Sequence, residues 1–377
     1  MPAKRTSRKK SSLKFFDKLM LTITCVSVAC ILVSYIAKYI DPQMFWPVAF
    51  FGLTYPLLLA ANLLLILFWL FRKPLYMLIP LAAILIGYNS LTANIGFRKS
   101  TAENSIKSDA LRVMTYNVHF FKKFDSKLDT STRDQILQII QEEKPDVLCI
   151  QEFFARPKGK YQFKKLVREA MGADYFYFFK STGNDFEESG LAIFSKYPIA
   201  GSGHITFPET YKGNEAIYAN IKYKNRLVRF YSVHLQSINF QPEDYKYLDE
   251  VKEIKANVKS SRRIGSRLKQ AFIKRSMQVK VLKEHASGWN EPYLFCGDFN
   301  DTPNSYAVNY LADDMNNAFQ KKGSGPGITY NGDFPNFQID FILASKDLNV
   351  ESYQVIKKKL SDHYAVRSDL LMLPRAK

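Results

Sequence analysis

Six short passages of this 377-residue sequence set a residue capable of acid–base or metal chemistry against an apolar run. MTYNVH carries Asn117, VLCIQE carries Glu152 and FYSVHLQS carries His234. LFCGDFND carries Asp298 and Asn300, QIDFIL places Asp340 inside a run, and LSDHYAV carries Asp362 and His363. Glu152 offers a hard carboxylate oxygen of the kind that Mg²⁺ or Mn²⁺ takes. Asp362 can supply a second carboxylate, and Asn117 can orient the cluster through its amide. His363 can act as a cation or a base, and Asp340 is placed to hold its other ring nitrogen and so fix the tautomer. Singly, each of these has a bland reading as a loop residue, a cap or a satisfied histidine. Six together, each beside an apolar strand, point to one site, because strand ends of a packed sheet are rigid supports that can converge.

The elements that would position them follow from texture. From residue 110 onward, short apolar runs alternate with helical patterns. Leu111–Asn117 and Asp146–Gln151 are rich in β-branched residues and predict strands, while Ile136, Leu137, Ile139 and Ile140 between them have helical spacing that Pro145 closes. Further strands are expected at Gly190–Ser195, Ala216–Tyr223, Leu227–Leu235, Tyr293–Cys296, Gln338–Leu343 and Val350–Ile356. Residues from about 244 to 287 lack turn signals apart from Gly265 and predict a long helical segment. Alternation of this kind over residues 110–372 fits one large α/β domain.

The set resembles the endonuclease/exonuclease/phosphatase superfamily, the deoxyribonuclease I-like fold, in a membrane-anchored, bacterial-type member. GDFN with SDH, preceded by an IDFIL strand, carries the resemblance, and GLAIFSKYPI at 190–199 adds to it. It covers about residues 110–372 and keeps the motifs in family order. The resemblance implies a two-sheet α/β sandwich that hydrolyses phosphate esters with a divalent metal, usually magnesium, in one or two copies. It agrees with Glu152, Asp362 and Asn117 as the metal group. By resemblance Asp298 orients or deprotonates the attacking water, Asn300 donates to a phosphate oxygen, and His234 matches a position that contacts the phosphate in some relatives. His119 is a weaker candidate. Such a site must place a nucleophile, neutralise phosphate oxygens and stabilise the leaving oxygen.

The first hundred residues lie outside that resemblance. Three apolar stretches, about 19–40, 44–71 and 75–97, follow a basic tail at 1–18 that holds seven Lys/Arg and one Asp. About 20 apolar residues span a bilayer, so the stretches predict transmembrane helices, the third being the shortest in its apolar part. No A-x-A-like cleavage site follows the first stretch, which favours an anchor over a signal peptide. The Lys/Arg bias keeps the tail and the Arg72–Lys73 loop cytoplasmic, and three crossings then leave the domain extracytoplasmic, at a plasma or inner membrane, after a linker at 98–109.

Composition bounds the rest. With 47% hydrophobic, 14% aromatic and 23% charged residues, disorder as the main state is excluded. Four cysteines without CxxC or Cys/His spacing imply neither a disulfide framework nor a structural zinc site. Part of the +18 net charge belongs to the tail, which weakens a nucleic-acid argument from charge alone. Residues 252–283 hold eleven Lys/Arg against Glu253. Lys259, Arg262, Arg263, Arg267 and Lys269 there are candidate contacts to a nucleic-acid backbone or anionic headgroups, or else the wet face of a helix whose Ile264, Leu268, Phe272 and Ile273 face the core. Three functions remain open on sequence: a membrane-tethered phosphodiesterase acting on nucleic acid or phospholipid, a phosphomonoesterase of inositol-phosphate or organophosphate type, and a non-catalytic membrane scaffold. No protein partner is inferred.

Overall fold

Proline positions divide the apolar N-terminal region. In the computed structural model, which describes residues 14–99, 101, 106–123, 127–208, 213–241, 243–244, 246–247, 258–332 and 336–374, helix α1 (Phe15–Ile36) runs unbroken, having neither proline nor glycine. The second apolar stretch restarts at each proline, a residue tolerated only in the first helical turn. It yields α2 (Pro42–Phe45), α3 (Pro47–Leu53) and α4 (Tyr55–Arg72). The expected 44–71 helix is therefore not continuous. The third stretch is a 3₁₀ turn at Pro74–Met77, then α5 (Leu78–Ile86) and α6 (Tyr88–Asn94), bent by 70° at the intervening Gly87. The Tyr35 ring lies so close to Gly87 that any Cβ there would overlap it. Phe15–Tyr39 and Tyr55–Arg72 are long and apolar enough to cross a membrane, and the bent pair adds a third only if it counts as one span.

At one end of this bundle Asp17 takes Arg72 and Lys73 at 3.0 and 3.4 Å. The other end docks on the remainder of the chain. Asp41, which caps α2, binds Ser276 and Lys280, Gln43 donates to Ser276 at 3.0 Å, and Phe50 meets Phe272 edge-on. Asn94 donates to Asn304 at 3.1 Å, and β1 (Ile95–Phe97) pairs with residues 324–326. Gly52 is what lets α3 approach: a Cβ there would stand 2.8 Å from the Asn304 carbonyl oxygen.

The following elements, in order, are β2 (Leu111–Asn117), α7 (Thr130–Glu143), β3 (Val147–Ala155), α8 (Phe163–Met171), β4 (Tyr175–Gly183), β5 (Glu188–Ser195), β6 (Ile199–Ile205), β7 (Ala216–Tyr223), β8 (Arg226–His234) and α9 (Val258–Ser287). Then come β9 (Tyr293–Asp298), α10 (Tyr306–Ala312), β10 (Asn316–Asn317), α11 (Ala318–Lys322), β11 (Ser324–Pro326), β12 (Asp340–Ala344), β13 (Leu348–Val350), β14 (Gln354–Ile356) and β15 (Ala365–Met372). Strand limits differ from the expected ones mainly by extension through the polar ends. The 350–356 run is the exception, splitting into two short strands, and β1, β6, β10, β11 and β15 were not foreseen. Of the long segment expected at about 244–287, helix α9 covers 258 onward, and 248–257 lie outside the described residues.

Two sheets face each other, ordered β10-β12-β9-β8-β7-β6 and β13-β15-β2-β3-β5-β4, with β14 on β15. Their shared core includes Val113, Cys149, Ile193, Phe230, Leu294 and Ile342. α7 and α8 cover the outer face of the second sheet, and α9 and α10 that of the first. This is the expected two-sheet α/β sandwich. Its decisive feature is that, among the described residues, each sheet holds one parallel pair, β2 with β3 and β8 with β9. β12 and β15 run antiparallel to β9 and β2, so they start where those strands end.

Candidate active site

That topology gathers the polar strand ends at one edge of the sandwich. Asn117 ends β2, His234 ends β8, Asp298 ends β9, and Asp340 opens β12 directly opposite Asp298 rather than lying within a strand. Asp362 and His363 precede β15. Behind them, Thr115 and Ser232 both bond the buried Gln151 amide, which ties the two parallel pairs across the sandwich.

Local backbone features aim the side chains. Gly297 has φ +146, and a Cβ there would stand 2.0 Å from the Val233 carbonyl, so only glycine lets β8 and β9 meet just before Asp298. Glu152 and Asn300 are both left-handed at φ +51. For Glu152 this coincides with a register shift between Ile150 and Phe153, a bulge that turns the carboxylate out of the pleat. His119, Phe120 and Phe121 are three successive left-handed residues. Such conformations cost about 1–3 kcal/mol each and cluster where a site is being shaped.

Asp298 is the hub. Its Oδ1 accepts the Asn300 backbone N–H at 2.8 Å, and its Oδ2 accepts Asn117 Nδ2 at 3.1 Å. The same Oδ2 lies 3.5 Å from His363 Nε2 and 3.6 Å from His234 Nε2. Burial raises the Asp298 carboxyl to about 6, against the opposing pull of His363 and with a further push from Asp340. His363 Nδ1 lies 2.9 Å from Asp340 Oδ2 with both side chains buried. Burial opposes its charge, yet Asp340 and Asp298 hold the imidazole well above its ordinary value. Ser361 accepts the His363 N–H and donates to the Asn117 carbonyl, locking the SDH turn to β2.

On the other side, Glu152 Oε2 and Asp362 Oδ1 lie 3.4 and 3.6 Å from His119 Nδ1. Asn117 Nδ2 is 3.4 Å from Glu152 Oε1, and His234 Nε2 is 3.8 Å from it. Burial works against the Glu152 carboxylate, but His119 first and then the His234 charge bring it down to about 2, so it is ionised. Two carboxylates thus converge on a point already taken by a group whose basicity they raise, an arrangement of donors that suits a divalent cation. Asp298, Asp340 and His363 form a second group, with ligand atoms within 4.8 Å of one another, that could also hold an ion.

Every chemical candidate therefore lies in one place. Glu152, His234, Asp298, Asn300, Asp362 and His363 line a cavity of about 500 Å³. Asn300 spends one amide hydrogen on the Leu235 carbonyl at 3.1 Å. His119, weak on sequence, stands between two carboxylates. Arg275 is a site residue that sequence reasoning missed: fully buried, it binds the Asn300 carbonyl and Asp301, at 3.0 Å, and so holds the turn after Asp298. Its signal was legible, since 268, 272, 275, 279 and 282 form one helical stripe in which Arg275 alone is charged. Tyr330, edge-on to His363, and Leu53 were missed as well.

The basic array behaves differently. Arg263 and Arg267 are bound at 2.6 and 3.0 Å to the fully buried Asp244, and Lys269 sits 4.9 Å over the Trp46 ring. Lys259 and Arg262 are exposed near the start of α9. None of the five lines the cavity among the described residues.

The family described as Endonuclease/Exonuclease/phosphatase family matches residues 114–363, and a domain of unknown function matches residues 17–94. No curated protein matches the sequence. Among solved structures the chain is similar to the endonuclease/exonuclease/phosphatase from Beutenbergia cavernae DSM 12333, with a TM-score of 0.52 and 18% identity over 70% of this chain and 72% of that one. It is also similar to a mannosyl-6-phosphatase from Bacteroides thetaiotaomicron VPI-5482, with a TM-score of 0.48 and 18% identity over 70% of this chain and 100% of that one. The human Nocturnin catalytic domain with bound sulfate anion gives 0.48 and 18% over 73% and 97%. At these identities the likeness is one of fold.

Proposed function

The chain belongs to the Endonuclease/Exonuclease/phosphatase family, and on that premise we propose a membrane-anchored, divalent-metal-dependent phosphoesterase that hydrolyses a phosphodiester by attack of water. That it is a hydrolase acting on phosphate esters follows from the family. The single observation that carries the finer reading is the convergence on Asp298 of Asn117, His234 and His363, with Glu152 and Asp362 beside them.

Each residue has a task that its surroundings support. Asp298, raised to about 6, is ionised at neutral pH yet basic enough to take a proton from the attacking water. Asn117 and the Asn300 N–H fix the direction of its carboxylate. His363 has its Nδ1 committed to Asp340, so Nε2 is left to donate to a phosphate oxygen as a cation. His234 presents Nε2 to the same space, and the remaining amide hydrogen of Asn300 can serve a phosphate oxygen. Glu152, Asp362 and Asn117 would hold Mg²⁺ or Mn²⁺, and the ionised state of Glu152 supports that assignment. When bound, such an ion supplies Lewis-acid charge to the phosphate and the leaving oxygen. The 2.9 Å contact within the Asp340–His363 pair is what a proton-sharing pair has, which favours placing the ion on the Glu152 side.

The proposed arrangement is a basic tail at 1–18, transmembrane segments within 19–97, a linker at 98–109 and a catalytic domain at 110–372 outside the cytoplasm. Support comes from the two ends of the helical unit: Asp17 with Arg72 and Lys73 at one, and Asp41, Phe50 and Asn94 against the catalytic domain at the other. The test is hydrolysis by the full chain of paired phosphodiesters and phosphomonoesters with Mg²⁺ and after chelation. Asp298→Asn should lower turnover about 10²-fold or more, the usual loss of a positioned base. Activity that persists in chelator, or in Asp298→Asn, would overturn the mechanism. Turnover of monoesters alone would replace diesterase by monoesterase.

A further inference from the structure

The catalytic cavity is polar on its floor and apolar on one wall. That wall is Leu53, Ile238, Ile264, Leu268, Phe272 and Phe337, and one of these, Leu53, belongs to the membrane unit rather than to the sandwich. Leu53 lies two residues before α4, whose 18 residues match the thickness of a bilayer core at about 27 Å. The Tyr55 end of α4 then falls at a membrane–water interface, and the cavity wall begins there. Beside it, α2 and the residue after it expose apolar side chains where a water-facing surface would not: Met44 is 86% exposed and Phe45 55%, with Trp46 next to them beneath Lys269. Tryptophan and lysine at one level are what an interfacial segment carries.

Resting on the phosphoesterase reading, we propose that the substrate is a membrane amphiphile. Its phosphate ester sits on Asp298 and His363, and its hydrocarbon chain lies along the Leu53–Leu268–Phe272 wall and continues into the bilayer. A wholly water-soluble phosphate has no use for this wall, which would stay in contact with water. An interfacial mouth also spares a lipid from being extracted. The exposed Met44, Phe45 and Trp46 hold the mouth against the membrane, and the contacts of Asp41 with Lys280 and of Phe50 with Phe272 keep α9 in register with them.

The test uses the full chain in lipid nanodiscs with butyl and dodecyl p-nitrophenyl phosphodiesters, and with butyl and dodecyl phosphate to cover a monoesterase. The dodecyl to butyl ratio of kcat/KM should be about 10² or more, since eight further methylenes are offered to the wall and only part of them need be covered. Leu268→Trp, which fills the wall, and Leu53→Glu, which charges it from the membrane side, should each lower that ratio about tenfold. Their shared direction separates binding along the wall from simple partition into the bilayer. Equal kcat/KM for both chain lengths would overturn this proposal and leave the phosphoesterase reading standing, as would a ratio untouched by either variant. A preference for a thymidine p-nitrophenyl phosphodiester over the dodecyl ester would assign the wall to a nucleobase instead. Turnover of none of these esters would overturn this inference and the proposed phosphodiesterase mechanism it rests on.

Discussion

Replacing Asp340 by asparagine should disable turnover while leaving the shape of the site intact. Asp340 Oδ2 faces His363 Nδ1 at 2.9 Å, and both side chains are buried. At that separation and an effective dielectric constant of about 20, the attraction between carboxylate and imidazolium is about 6 kcal/mol. An asparagine oxygen can still accept from Nδ1, so roughly half of this survives, and a loss of about 3 kcal/mol corresponds to about 10²-fold in rate. The assay is phosphate-ester hydrolysis by the full chain with Mg²⁺, resolving kcat from KM. kcat should carry the loss and KM should change by less than about threefold, because His363 acts on charge that develops during the reaction. Circular dichroism and the unfolding midpoint check that Asp340→Asn is folded. A folded variant whose kcat stays within about threefold of the parent would refute the role given to the Asp340–His363 pair.

Three further outcomes are expected. Lys259→Gln with Arg262→Gln should flatten the salt dependence of KM if the start of α9 grips a polyanion; Arg263→Gln with Arg267→Gln should instead lower the unfolding midpoint, because Asp244 is left buried without its partners. Identical salt curves for the first pair would leave those residues as a solvated face. Alkaline phosphatase fused at Lys73 should be silent and at Lys99 active; silence at both would overturn the three-crossing arrangement. Burial works against the Asp41 charge, but Lys280, Ser276 and the Gln43 N–H hold its carboxyl below the ordinary value, so its contribution to docking is present above about pH 4 and fades as pH falls further. The stability gap between parent and Asp41→Asn should therefore close on acidification, and a gap that persists at low pH would contradict that linkage.

What the sequence determined by itself is the set of chemical groups and their supports. GDFN, SDH and IDFIL name Asp298, Asn300, Asp340 and His363 because the strands before or after them are unmistakably apolar, and period and β-branching are local properties that need no partner. Arg275 was legible too, as the one charge on an apolar stripe. The tertiary structure decided what pattern cannot carry. Glu152 points into the site only because of a bulge against β5, and His119 reaches it only through three left-handed residues, neither of which leaves a periodic trace. Whether Arg263 and Arg267 meet a ligand or Asp244 depends on a side chain 19 to 23 positions away that burial alone makes important. The break of the second apolar stretch could be guessed from Pro47 and Pro56, but not that α3 would set Leu53 into the wall of the catalytic cavity. Contacts between distant segments are chosen by packing, and packing is settled only when the whole chain has folded.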